Sequence, residues 1–87
     1  MLQELYAELI KLENIEEAEL FLADLCTMKE LEAMSQRLKS AKMLLEGKTY
    51  NEIVEETEIS SATLARVSKC VRYGDGGYKT IITKDSK

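Results

Sequence analysis

Three cations, Arg66, Lys69 and Arg72, follow one another at three-residue intervals, after the small residues Ser61, Ala62 and Ala65. Spacings of three and four put side chains on one side of a helix. Small residues at the start of such a helix allow close approach to a surface, and cations further along can neutralise phosphates. That is the chemistry of a recognition helix entering the major groove of duplex DNA. The same pattern also describes an ordinary helical hairpin with a solvated basic face.

Other chemistries have little to work with. The chain has no His, which removes a His general base and the usual Cys/His zinc sites. No nucleophile–base pair, metal-ligand cluster or Gly-rich phosphate loop stands out, so no enzyme activity is expected. Gly74-Asp75-Gly76-Gly77 has no strand before it and reads as a turn, weak evidence for phosphate binding. Cys26 and Cys70 are the two cysteines. Without a targeting sequence they are expected to be free, partly buried thiols rather than a disulfide. No apolar run approaches the ~18 residues of a membrane span, and no signal peptide is visible. A cytoplasmic protein with no membrane contact is expected.

The elements that must position the cations lie in Thr49–Tyr73. Thr49 followed by Glu52 forms a capping box, and Ile53, Val54 and Thr57 are expected to share the inward face of the helix behind it. A break follows at Glu58-Ile59-Ser60. Ser60 or Ser61 then caps a second helix, whose inward face is Leu64, Val67 and Val71. Two short amphipathic helices joined by a tight turn make a helix-turn-helix.

Upstream, Leu2–Leu12 reads as a helix with a wide apolar stripe. Asn14, with Glu17 in the box position, starts a second helix over Ile15–Leu25. These helices are acidic and rich in Leu. Packing against a second copy of the chain would cover their stripe; an intramolecular core is the alternative. Thr27 and Glu30 form another capping box, opening the longest helix, Met28–Glu46, with Leu31, Met34, Leu38, Ala41, Met43, Leu44 and Leu45 on its apolar side. Gly47 supplies its left-handed stop. The four Met are read as core filler. After Tyr73, the stretch Tyr78–Lys84 has β-branched residues that favour an extended segment, while Tyr78, Ile81 and Ile82 also suit a short helix. The last residues are polar and expected to fray.

The expected architecture is therefore all-α, one small domain over 1–87: dimerisation and core helices in 1–47, the helix-turn-helix in 48–73, a tail in 74–87. A chain of 87 residues buries a modest share of its surface, which makes oligomerisation plausible. The net charge of −4 argues at first against nucleic acid. Its distribution argues otherwise: residues 1–47 hold five basic and ten acidic side chains, whereas Ser60–Lys84 holds five basic against Asp75 alone. An acidic body with a basic face fits a modest DNA binder that relies on dimerisation.

Several stretches together resemble the Trp repressor superfamily, and within it the Trp-repressor-like family labelled YerC/YecD. They are Phe21–Thr27 (FLADLCT), Glu32–Leu45 (EAMSQRLKSAKMLL), Gly47-Lys48-Thr49-Tyr50, Ser61–Val67 (SATLARV) and Arg72–Tyr78 (RYGDGGY). The resemblance covers nearly the whole chain. It implies an intertwined homodimer and an operator-binding transcriptional regulator, with half-sites about one helical turn apart. By position, Asn51, Ser61, Ala62, Thr63 and Ala65 fall where the repressor approaches bases or phosphates. With the caps Thr49 and Ser60, and with Arg66, Lys69 and Arg72, they make up the candidate DNA contacts.

The resemblance also implies a corepressor pocket. Arg37 and Arg66 match the two arginines that grip tryptophan, and paired guanidinium groups suit a carboxylate. Thr27 matches a contact from the partner chain. Alternatively, Arg37 is a core-edge charge and Arg66 a phosphate contact. Val67 stands where the repressor has a Gly that leaves room for indole, and Cys70 replaces a small polar residue. Tryptophan is thus not expected as the effector: the space is self-filled or takes a smaller ligand. Glu58 stands in the turn where relatives usually have Gly; either it sits at φ > 0 and costs roughly 1 kcal/mol, or the turn is wider here. Glu52, Glu55 and Glu56 make the first helix of the unit acidic where the repressor is basic. That acidity keeps a second function open, a protein-interaction module that does not read DNA.

Overall fold

A computed structural model describes residues 1–84. Six helices and no strand are found among them: α1 Leu2–Leu9, α2 Ile15–Leu25, α3 Met28–Leu45, α4 Tyr50–Thr57, α5 Ser61–Tyr73 and α6 Gly77–Ile82. The all-α expectation holds. The expected fraying of the chain end falls on 85–87, outside the described residues.

The backbone forms two compact units, Met1–Leu31 and the part from Glu32 onward. In the first unit, α1 is shorter than Leu2–Leu12. Its end tightens into i→i−3 bonds, Lys11 N–H to Glu8 O at 3.1 Å and Leu12 N–H to Leu9 O at 3.2 Å, so the helical stripe stops being α-helical after Leu9. α2 starts where the sequence places it, with Glu17 N–H donating to Asn14 Oδ1 at 2.8 Å. The Glu17 carboxylate reaches one residue further back than a capping box requires and accepts from Glu13 N–H at 2.9 Å. Neither helix buries a single residue fully. Ile10 is 85% exposed, Ile15 77% and Leu20 73%.

The core lies in the second unit. Ala41, Met43, Ile53, Ile59, Leu64 and Val67 are buried together, with Leu44, Val71, Tyr78 and Ile82 packed against them. Met43 is the one methionine in that core; Met1, Met28 and Met34 are exposed, contrary to the core-filler reading. Leu38 is exposed as well, while Ser40 is fully buried. Helix α3 begins at the Thr27 box, Thr27 N–H to Glu30 Oε1 at 2.8 Å and Glu30 N–H to Thr27 Oγ1 at 3.1 Å. It stops at Gly47, whose φ of 86° is the left-handed conformation a side chain resists.

The tail takes the second of its two expected forms, the short helix. Gly76 in the left-handed region opens α6, and Tyr78 and Ile82, four residues apart, face the core. A six-residue helix cannot hold itself together in water. Packing of that pair outweighs the β-branched preference for an extended chain.

Candidate DNA-reading face and arginine pocket

The helix-turn-helix is built from local signals. Thr49 N–H donates to Glu52 Oε1 at 2.8 Å, and Glu52 N–H donates back to Thr49 Oγ1 at 3.2 Å. The hydrogen bonds from the Thr49 backbone and side chain hold the Glu52 carboxyl below its usual value of 4.5, with Lys48 adding a smaller pull. Ile53 is buried, but its neighbour Val54 is 38% exposed. One residue of helix rotates a side chain by about 100°, so both cannot face inward.

The turn is tight. Glu58 takes φ 60° and ψ 20°, and its N–H donates to Val54 O at 2.8 Å. Thr57 Oγ1 donates to Ile53 O and accepts from Ile59 N–H, at 2.8 and 3.2 Å. Gln36 of α3 reaches Thr57 O at 3.1 Å and ties the turn to the core helix. Ser60 caps α5, accepting from Thr63 N–H at 3.2 Å.

Helix α5 carries three stripes. Leu64, Val67 and Ser68 are buried and Val71 half-buried. Ala62, Ala65, Lys69 and Arg72 are exposed at i, i+3, i+7 and i+10, along one line of the helix. Thr63, Arg66 and Cys70 form a third line, on the flank, and share a pocket of about 230 Å³ with Arg37, Val67 and Tyr78. The candidate DNA contacts therefore divide. Ser61, Ala62, Ala65, Lys69 and Arg72 are exposed, as are Thr49, Asn51 and Ser60. Arg66 is exposed but belongs to the pocket flank. Thr63 is half-buried, and its hydroxyl accepts from Ser60 Oγ at 2.9 Å.

The pocket brings Arg37 and Arg66 together and has no acidic residue in its lining. Arg37 is half-buried. Among the described residues, the ion pairs are Met1 amino–Glu4 and Lys11–Glu8, so neither arginine has a carboxylate partner. The acidic stripe of α4, Glu52, Glu55 and Glu56, lines a different hollow with Met43 and Lys48. Val67 is buried at the base of the arginine pocket. Cys70 is an exposed free thiol and Cys26 a half-buried one, so only the second matches the partly buried expectation. Thr27 lies in the first unit, its side chain engaged in the α3 cap. Tyr78 in this pocket was not among the sequence candidates; its spacing from Ile82 was the available signal.

Comparison with known proteins settles the family. A family model described as Trp repressor protein matches residues 1–86. The chain belongs to the Trp repressor family. It is 40% identical over 83 residues to the uncharacterised protein YerC of Bacillus subtilis, a match spanning 95% of this chain and 80% of YerC. A crystal structure of a Staphylococcus aureus protein provisionally described as a Trp repressor superposes with a TM-score of 0.89 at 42% identity, covering 93% of this chain and 81% of that one. A TrpR-like protein from Eubacterium eligens gives 0.88 at 39% identity, covering 92% and 82%. Members of this family are regulatory DNA-binding proteins rather than enzymes. No helix among the described residues is long and apolar enough to cross a membrane.

Proposed function

We propose that this chain is a homodimeric, sequence-specific DNA-binding transcriptional regulator of the repressor type, acting in the cytoplasm as one domain. Residues 1–47 supply the dimer surface and core, 48–73 the helix-turn-helix and 74–87 the tail. The observation that carries this reading is the exposed line Ala62, Ala65, Lys69 and Arg72 on α5. Ala62 and Ala65 leave room for base edges. Lys69 and Arg72 stand further along for phosphates, and Ser61, Thr49 and Asn51 lie near the two helix starts. The uncovered apolar surface of α1 and α2 supports the dimer, which sets two such helices at a fixed distance for a pseudo-palindromic operator.

Binding to an operator duplex should weaken steeply with salt. Lys69→Ala should weaken binding to all sequences alike and reduce the salt slope by about 1, while substitutions at Ala62 or Ala65 should change the preferred sequence. A Lys69→Ala protein with unaltered affinity and slope would remove Lys69 from the DNA face.

The arginine pocket supports a modulating ligand. Two guanidinium groups without a carboxylate partner among the described residues suit a small anion, and buried Val67 with half-buried Tyr78 takes up space that an indole would need. In the dimer, Thr27 would come from the other copy. A thermal-shift panel of amino acids and nucleotide metabolites tests this. If no compound stabilises the protein, and Arg37→Ala leaves DNA affinity unchanged, the pocket is not a ligand site. The exposed Glu52, Glu55 and Glu56 favour the second reading, an interaction module that does not read DNA. A stoichiometric protein partner together with no duplex binding would select it.

A further inference from the structure

The end of α5 is joined to α6 by Gly74, Asp75 and Gly76. A side chain at Gly74 would meet the Cys70 carbonyl oxygen at 2.4 Å, so only glycine lets the chain turn so close to the helix it has just left. Helix α6 is in contact with α5. Tyr78 packs against the buried core and lines the arginine pocket beside Val67 and Arg66. It also lines an apolar groove of about 440 Å³ together with Leu38, Ile81 and Ile82. Tyr78 and Cys70 are the two residues that line both hollows. A large flat side chain from within the chain thus stands against the flank of the helix that carries Ala62, Ala65 and Lys69.

We propose that α6 is a resident brace for α5: Tyr78 fixes the recognition helix from inside the chain, so DNA binding needs no small molecule. This rests on the DNA-reading function given above. A ligand of the arginine pocket would then modulate a helix that is already held. Removing the ring joins the two hollows and frees α5 to tilt. If fewer than a tenth of the molecules then hold the binding geometry, the apparent affinity falls about tenfold.

The test is Tyr78→Ala, assayed for operator binding and for thermal stability with and without p-cresol, which replaces the missing ring. The brace requires an affinity loss of about tenfold or more, a p-cresol-dependent rise in melting temperature in the variant but not the wild type, and recovery of binding with p-cresol. Tyr78→Phe should keep wild-type affinity. Tyr78→Leu keeps an apolar contact on the core without a ring and serves if the alanine variant does not fold. Wild-type affinity in a folded Tyr78→Leu or Tyr78→Ala protein overturns the brace. Wild-type protein that fails to bind duplex DNA at all is a failure of the DNA-reading function itself, and takes the brace with it.

Discussion

Glu58 holds a backbone conformation, φ 60° and ψ 20°, that costs a residue with a Cβ about 1 kcal/mol. Glu58→Gly should therefore raise stability by about that amount, read as a higher urea midpoint at unchanged slope. An unaltered or lower midpoint would mean that the glutamate offsets its own strain. Glu52 gives a pH signature. Its folded value is lowered, so its contribution is complete above the ordinary value of 4.5 and is lost as pH falls through the lowered one. The stability difference between wild type and Glu52→Ala should shrink in acid; a difference that persists there would uncouple the carboxylate from the cap. At this scale the sequence was most legible where interactions are local. Thr49, Ser60, Thr27 and Asn14 cap the helices they precede because a cap depends on residues three positions away. Buried Ser40 and Ser68, exposed Leu38 and the place of Tyr78 depend on distant packing and had no such sign.

Among the elements, α2 and α3 start where the sequence puts them, and α5 follows its Ser60 cap. The departures have one origin: short segments answer to packing rather than to composition. The end of α1 tightens, Val54 turns outward, and α6 is helical despite its β-branched residues. The candidate site was legible as a list and not as an arrangement. Arg66 sits with Arg37 and Thr63 on one flank of α5, while Lys69 and Arg72 continue the line of Ala62 and Ala65. Helices α1 and α2 bury none of their apolar side chains fully and leave Leu2, Tyr6, Ile15, Leu20 and Leu25 exposed, which is the signature of an element awaiting a partner. Leu20→Glu should accordingly shift the protein toward monomer in analytical ultracentrifugation at micromolar concentration. A variant that stays dimeric would move the dimer surface away from this exposed Leu.

For the whole molecule, the distribution of charge decides. An acidic body keeps nonspecific attraction to nucleic acid modest, and the helix that offers small residues at its tip carries Arg66, Lys69 and Arg72 with no acidic residue. In this chain Val67 and Tyr78 line the pocket beside Arg37 and Arg66, which is the basis for proposing that the recognition helix is braced from within. The most direct measurement is selection of bound sequences from random duplex DNA with the purified wild-type protein and no added ligand. The account predicts enrichment of a pseudo-palindrome with half-sites about one helical turn apart. Recovery of no sequence preference over random duplex at physiological salt would contradict it.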